Sequence, residues 1–214
     1  MWIRGYLAAM ALCCSQVVAA NAQAAPPQAG GQNAILVIGD SLSAEYGLRR
    51  DTGWVKLIAD RLVAEAPEYQ ILNSSISGDT TSGGLSRLPA ALSTHQPRIV
   101  VIELGSNDAL RGLSLSATRD NLAKMIEQAK DRKAEVLLVG MQIPPNYGRA
   151  YTEQFQRLFA ELSEQHGVEL VPFLLEGMAT NMELFQADGI HPNEAAQAML
   201  AENVWKKLGP MLTR

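Results

Sequence analysis

Residues 34–38, Ala-Ile-Leu-Val-Ile, form a short and continuously apolar run that is rich in branched side chains. Similar runs follow at residues 99–104 (IVVIEL) and 136–141 (VLLVGM), with fainter ones at 69–73 and 169–171. Runs of this length and composition are typical of strands that are covered on both faces of a parallel sheet. The sequence therefore predicts five strands, of which the run at residue 34 is the first.

The segments between these runs have the periodicity of helices. Apolar side chains recur three and four residues apart within residues 54–62, 122–129, 155–162 and 196–208. Strand and helix thus alternate, and parallel strands need crossover connections that pack on the faces of the sheet. We expect an α/β fold, a three-layer α/β/α sandwich of flavodoxin-like type around a five-stranded parallel sheet.

The composition is that of an ordinary water-soluble domain. The chain has 214 residues, of which 47% are hydrophobic and 19% charged, and its formal net charge is -4. A chain of this size can build a single core. A net negative charge argues against a protein that holds nucleic-acid backbones. We expect one domain over residues 34–214, a monomer with no nucleic-acid partner.

The first 24 residues have the pattern of an export signal. Arg4 supplies positive charge, residues 7–14 are apolar, and Ala22-Gln23-Ala24 matches a small-x-small cleavage site. The apolar stretch is shorter than the roughly 18 residues that a spanning helix needs. Residues 1–24 are therefore predicted to be a signal peptide rather than a stable membrane span. Residues 25–33 are predicted to be a flexible tether, and the protein is expected in the periplasm or secreted.

Polar residues follow the predicted strands at the edge where such sheets bind ligands. Ser41, in Gly39-Asp40-Ser41, occupies a position that suits a nucleophile, although a turn capped by Asp40 or Ser41 is an equal alternative. Asn107 follows the strand at 99–104, where its amide can donate a hydrogen bond to an oxyanion. Gly78 offers a backbone donor, but a plain turn is the stronger interpretation of its block alone.

A carboxylate and an imidazole stand three residues apart in Asp188-Gly189-Ile190-His191, so they can meet across one turn. In such a pair the Asp orients the ring and the His takes a proton. His95 and His166 end helical patterns, an ordinary place for a cation. His191 lacks that explanation, although a histidine beside a helix start can also be structural.

Four blocks in order, at residues 39–43 (GDSLS), 76–79 (ISGD), 105–108 (GSND) and 188–192 (DGIHP), resemble the conserved blocks of the SGNH (GDSL) hydrolase family. The sequence between them resembles the bacterial periplasmic multifunctional esterases of that family. Members of that group act as acyl-CoA thioesterase, lysophospholipase and arylesterase. One departure is Ser106, where relatives commonly have a second glycine.

The resemblance implies a Ser–His–Asp mechanism. No metal or other cofactor is expected, since the sequence has no H-E-x-x-H motif, no clustered histidines and no Gly-rich phosphate loop. The resemblance makes Ser41 the nucleophile, His191 the general base and Asp188 the group that orients the imidazole. The implied oxyanion hole consists of the N–H groups of Ser41 and Gly78 and the side-chain amide of Asn107. The segments implied to line the acyl pocket carry Leu110, Leu113 and Ile143. Arg111, in the first of these segments, is either a rim residue or a solvated surface charge.

The activity that the resemblance implies is hydrolysis of small-molecule esters and thioesters with medium to long acyl chains. Two alternatives stay open on the sequence. One is a carbohydrate O-acetylesterase of the same superfamily. The other is a noncatalytic binding module, since a fold alone does not confer chemistry.

Overall fold

The computed structural model describes residues 33–213, so the predicted signal peptide and all but the last residue of the predicted tether lie outside it. Five strands are formed, namely β1 Ala34–Gly39, β2 Gln70–Asn73, β3 Ile99–Glu103, β4 Glu135–Val139 and β5 Glu169–Val171. They pair in parallel in the order β2-β1-β3-β4-β5. The predicted flavodoxin-like parallel sheet is confirmed.

Six α-helices connect and cover the strands. They are α1 Trp54–Glu65, α2 Thr81–His95, α3 Ser106–Leu110, α4 Leu115–Asp131, α5 Arg149–His166 and α6 Gln197–Met211. On one face of the sheet α1 packs against α6, and on the other α4 packs between α2 and α5. Short 3-10 turns lie at Pro145–Tyr147, Met182–Leu184 and Glu194–Ala196. The result is the three-layer α/β/α sandwich that the alternation of strand and helix predicts.

The core is built from the central strands and the apolar helix stripes. Every residue of β1 and β3 is buried, as expected for strands covered on both faces. Within α5, Phe155 and Phe159 meet edge to face, with ring centroids 5.2 Å apart. Among residues 33–213, no helix has both the length and the apolar composition needed to cross a bilayer.

Two helix starts bring polar loops to the carboxyl edge of the sheet. The Thr80 hydroxyl accepts a hydrogen bond from the Gly83 N–H and caps α2, and Ser114 caps α4 in the same way through the Ala117 N–H. Because β1 lies between β2 and β3, the loops that follow these three strands are neighbours. Chemistry that draws on all three loops is therefore possible at this edge.

Candidate active site

Ser41, His191 and Asp188 form one hydrogen-bonded line at the carboxyl edge of the sheet. The Oγ atom of Ser41 is 2.9 Å from Nε2 of His191. Nδ1 of the same ring is 2.7 Å from Oδ2 of Asp188. Ser41 follows β1 directly, whereas the other two residues lie in the loop that precedes the last helix. The structure therefore brings together three side chains that the sequence singled out from opposite ends of the domain.

The Asp188 carboxylate is fixed by its own loop. Its Oδ1 accepts hydrogen bonds from the backbone N–H groups of His191 at 3.0 Å and Ile190 at 2.9 Å. These bonds stabilise the charged form and lower the pKa of Asp188 to about 2. Oδ2 remains available for the Nδ1–H of His191. This tautomer leaves Nε2 as the acceptor for the Ser41 hydroxyl.

Tyr46 and Gln186 hold the imidazole loop from the side, and neither was predicted from the sequence. The Tyr46 ring lies against the His191 ring, with centroids 4.5 Å apart and an angle of 42° between the planes. Gln186 Nε2 donates to the carbonyls of Tyr46 at 2.8 Å and Pro192 at 3.1 Å. The nucleophile loop and the histidine loop are thereby tied together. An aromatic residue shortly after Ser41 was the only available signal.

The three donors of the implied oxyanion hole stand on loops after adjacent strands. Within the part of the chain that the structure describes, the backbone N–H groups of Ser41 and Gly78 have no hydrogen-bond acceptor. Nδ2 of Asn107 donates to Oδ2 of Asp40 at 3.0 Å. An amide nitrogen carries two hydrogens, so one stays free. Gly78 has φ +78°, a left-handed conformation that favours glycine.

A pair of buried carboxyl groups lies next to Ser41. Asp40 accepts hydrogen bonds from the Leu42 N–H and from Asn107. Oε2 of Glu103 accepts from the Ser43 hydroxyl at 2.7 Å and from the Asp40 N–H at 3.2 Å. Burial raises the pKa of Asp40 to about 6. Burial and then the neighbouring Asp40 charge raise the pKa of Glu103 well above its ordinary value. Burial and the neighbouring charge thus favour the neutral form of Glu103.

The close approach of these groups accounts for Gly39, the glycine of GDSLS. A Cβ atom on Gly39 would lie 2.7 Å from Oγ of Ser43 and 2.8 Å from Oε2 of Glu103. Contacts that short do not occur without movement of the neighbours. Glu103 was missed in the sequence analysis, although a carboxyl residue within the apolar run IVVIEL was a signal for it.

Other polar side chains near the site brace the loops. The buried Asp108 accepts hydrogen bonds from the Thr81 N–H at 2.9 Å and the Thr81 hydroxyl at 2.5 Å, which ties α3 to the start of α2. Arg87 donates to Asp79 at 2.8 Å and to the Gly39 carbonyl at 3.3 Å. The Gly78 loop is thereby fastened to the end of β1.

The three predicted pocket residues differ in exposure. Leu113 is 44% exposed, whereas Ile143 is 8% exposed and belongs to the core. Leu110 is partly buried and packs against that core. Tyr151 donates to the carbonyls of Leu113 at 3.0 Å and Ala109 at 3.4 Å, which holds the segment in place. Leu113 is thus the member of the three with the most accessible side chain.

A parallel α/β sheet that carries a hydroxyl, an imidazole and a carboxylate in line at its carboxyl edge is the arrangement of an acyl hydrolase. Residues 37–199 match the GDSL-like Lipase/Acylhydrolase family. The chain belongs to this family, and the resemblance to SGNH (GDSL) hydrolases is confirmed. The predicted class, a carboxylic ester hydrolase, agrees with this membership.

The similarity extends over nearly the whole length of curated relatives. Esterase TesA of Pseudomonas aeruginosa is 50% identical over 185 residues, which is 86% of this chain and 92% of the relative. Thioesterase 1/protease 1/lysophospholipase L1 of Escherichia coli K12 is 40% identical over 86% of this chain and 88% of its own. A crystal structure of TesA superposes with a TM-score of 0.81 and covers 83% of this chain and 99% of that one.

Proposed function

We propose that this protein hydrolyses esters and thioesters of medium- to long-chain acyl groups, with Ser41 as the nucleophile. The observation that carries the proposal is the continuous line from Ser41 through His191 to Asp188, with distances of 2.9 and 2.7 Å. The relatives are named esterase and thioesterase/lysophospholipase, which supports the same chemistry. The intact constellation speaks against a noncatalytic binding module.

The first half-reaction forms an acyl-enzyme. Oγ of Ser41 attacks the carbonyl carbon while Nε2 of His191 takes the hydroxyl proton. Asp188 stabilises the resulting imidazolium without taking the proton itself. As the tetrahedral intermediate collapses, the imidazolium donates the proton to the leaving alcohol or thiol. The acyl group remains as an ester on Ser41.

The second half-reaction regenerates the enzyme. Nε2 of His191 takes a proton from a water molecule, whose oxygen attacks the acyl carbonyl. Collapse of this second intermediate breaks the bond to Oγ, and the imidazolium returns a proton to Ser41. The products are a carboxylic acid and the free hydroxyl. Each proton is carried by the same imidazole, so the chain itself supplies the groups that the reaction needs.

The oxyanion of both intermediates accepts hydrogen bonds from the N–H groups of Ser41 and Gly78 and from the free amide hydrogen of Asn107. Fixed donors in a partly desolvated site stabilise developing charge far more than water does. The loss of one such donor costs about 100- to 1000-fold in turnover. The acyl chain extends along Leu113, the most exposed of the three predicted pocket residues.

A chain-length panel tests this proposal against the carbohydrate O-acetylesterase alternative. We expect kcat/KM to be higher for p-nitrophenyl octanoate than for p-nitrophenyl acetate, and we expect palmitoyl-CoA to be cleaved. Ser41→Ala should lose both activities. Ser82→Ala, at an exposed serine of α2, is the matched control and should keep full activity. Activity confined to acetyl esters would favour the alternative. Full activity in Ser41→Ala would refute the proposed mechanism.

We also propose that the protein is exported after cleavage of residues 1–24 and acts as a monomer. The support is the charged start, apolar stretch and small-residue site of the leader. Cell fractionation with N-terminal sequencing should find a mature chain that begins at Ala25 outside the cytoplasm. A full-length cytoplasmic protein would contradict export, and a stable dimer in light scattering would contradict the monomer.

A further inference from the structure

Arg111 lies against two of the three oxyanion donors. Its Nη2 donates to the carbonyl oxygen of Gly78 at 2.9 Å and is 3.5 Å from Oδ1 of Asn107. A Cβ atom on Gly78 would lie 3.6 Å from the same nitrogen. The guanidinium thus covers one face of Gly78 and the oxygen end of the Asn107 amide. Arg111 is exposed, but this nitrogen is engaged by the site.

The Asn107 amide is consequently held at both ends. The Asp40 carboxylate accepts one amide hydrogen at 3.0 Å, and the guanidinium faces the amide oxygen. A rotation of the amide by half a turn would set its oxygen against the Asp40 carboxylate and its NH₂ against a cation. Both contacts are repulsive, so the second hydrogen keeps one direction. Arg111, the residue that follows the end of α3, lies four residues after Asn107, a spacing that brings the two side chains to the same side.

The Gly78–Asp79 peptide is also held on both sides. The Asp79 N–H donates to the Ile76 carbonyl at 3.0 Å, and Arg111 donates to the Gly78 carbonyl. Glycine is the residue with the greatest backbone freedom, so a restraint on its carbonyl limits the direction of the loop. The Gly78 N–H, which belongs to the preceding peptide, is thereby kept at the edge of the sheet.

We infer that Arg111 is a positioning residue for the oxyanion hole, acting through Gly78 and Asn107. The inference rests on the proposed function of the same site. Arginine suits this task because its planar guanidinium stays charged and offers several fixed donors. The contacts of Arg111 should matter most when charge develops on the substrate oxygen, since the two positioned donors form their strongest hydrogen bonds to the oxyanion. The effect therefore belongs to turnover rather than to substrate binding.

Kinetics of Arg111→Met and Arg111→Lys on p-nitrophenyl butyrate test the inference. We expect Arg111→Met to lower kcat by about 10-fold, less than the loss of a donor itself, with KM unchanged. Arg111→Lys, which retains the charge and a donor, should recover part of the loss. Arg132→Met, at an exposed arginine at the end of α4, is the matched control and should behave as wild type. Because both sites are exposed, all three variants should fold, which circular dichroism checks.

Two further readouts separate positioning from a structural or substrate-binding role. An alkylboronic acid forms an anionic tetrahedral adduct with an active serine, so its inhibition constant should rise in Arg111→Met by the factor that kcat/KM falls. In an Asn107→Ala background the effect of Arg111→Met should shrink, because one of its two targets is gone. A change in KM alone, or an equal factor in both backgrounds, would overturn the inference.

The outcomes also distinguish this inference from the proposed function. If wild type and Arg111→Met are equally active, only the proposed role of Arg111 is refuted. A folded wild type that cleaves neither esters nor thioesters removes the proposed function itself.

Discussion

Oδ2 of Asp40 accepts a hydrogen bond from Nδ2 of Asn107 at 3.0 Å, which joins the residue before the nucleophile to the side chain that follows β3. The same carboxylate accepts from the Leu42 N–H at 3.0 Å, on the other side of Ser41. One buried carboxylate therefore positions both Ser41, the proposed nucleophile, and Asn107, a proposed oxyanion donor. Catalytic geometry at this edge depends on the register between β1 and β3.

Replacement of Asn107 by Ala should lower kcat by about 100- to 1000-fold and leave KM nearly unchanged, because the amide acts on charge that appears only in the transition state. Steady-state kinetics on p-nitrophenyl esters measures this. If KM instead rises by that factor and kcat does not change, Asn107 is a residue that binds the substrate in its ground state. Its thermal transition serves as the control for folding.

Glu103→Gln should make the stability of the protein less dependent on pH. The folded-state pKa of Glu103 is raised above its ordinary 4.5, so its contribution is fully present below that value and is lost as pH rises toward the folded pKa. Gln keeps an acceptor for Ser43 and cannot ionise. The stability of the variant relative to wild type should therefore be greater at pH 8 than at pH 5, since wild type loses the contribution of Glu103 as pH rises above the ordinary pKa of 4.5.

Urea unfolding at the two pH values, followed by circular dichroism, measures this difference. A variant destabilised by the same amount at both would show that folding does not raise the pKa of Glu103. Asp188 acts in the opposite direction, since its pKa is lowered to about 2. Its contribution is present above its ordinary value and is lost on acidification, below the window of the experiment.

Tyr46→Ala should reduce kcat by about 10-fold, because the His191 ring loses the surface that limits its orientation, and small displacements of a catalytic group are costly. Tyr46→Phe keeps the ring contact and should retain most of the activity. Comparison of the two variants by kcat on a short ester tests the point. If Phe is as impaired as Ala, the hydroxyl rather than the ring contact is what matters.

Leu113→Ser should lower kcat/KM for octanoyl esters by about 5- to 10-fold and leave acetyl esters unaffected, since about 0.8 kcal/mol is gained for each buried methylene. The measurement is the ratio of kcat/KM for the octanoyl ester to kcat/KM for the acetyl ester, in wild type and in the variant. An equal loss on both chain lengths would mean that Leu113 supports the loop and does not contact the acyl chain.

The sheet was predictable because its central strands β1 and β3 are buried on both faces, and short branched apolar runs such as residues 34–38 are typical of such strands. Helix α2 had a much weaker signal, since Gly83, Gly84 and Pro89 interrupt its periodicity. Gly84 is required by tertiary packing, because a Cβ atom there would lie 2.2 Å from Cδ1 of Leu104. Such a contact between distant segments has no local sequence pattern.

The site was predictable where a reactive residue type stands at a position that the sequence itself marks. Ser41 follows the run of β1, and Asp188 and His191 are three residues apart. Glu103 was harder to predict, because the burial and the Asp40 charge that raise its pKa arise only when residues 63 positions apart come together. Arg111 stayed ambiguous for a similar reason. Its partners Gly78 and Asn107 are neighbours only in the folded sheet, where β2 and β3 lie on either side of β1.

Covalent labelling with a fluorophosphonate, read by intact-protein and peptide mass spectrometry, tests the central claim most directly. The mature wild type should gain one adduct, on the peptide that contains Ser41. Folded Ser41→Ala should gain none, and His191→Ala should react at least about 1000-fold more slowly. An adduct that persists in Ser41→Ala, or a folded wild type that stays unlabelled, would contradict the assignment of Ser41 as the nucleophile.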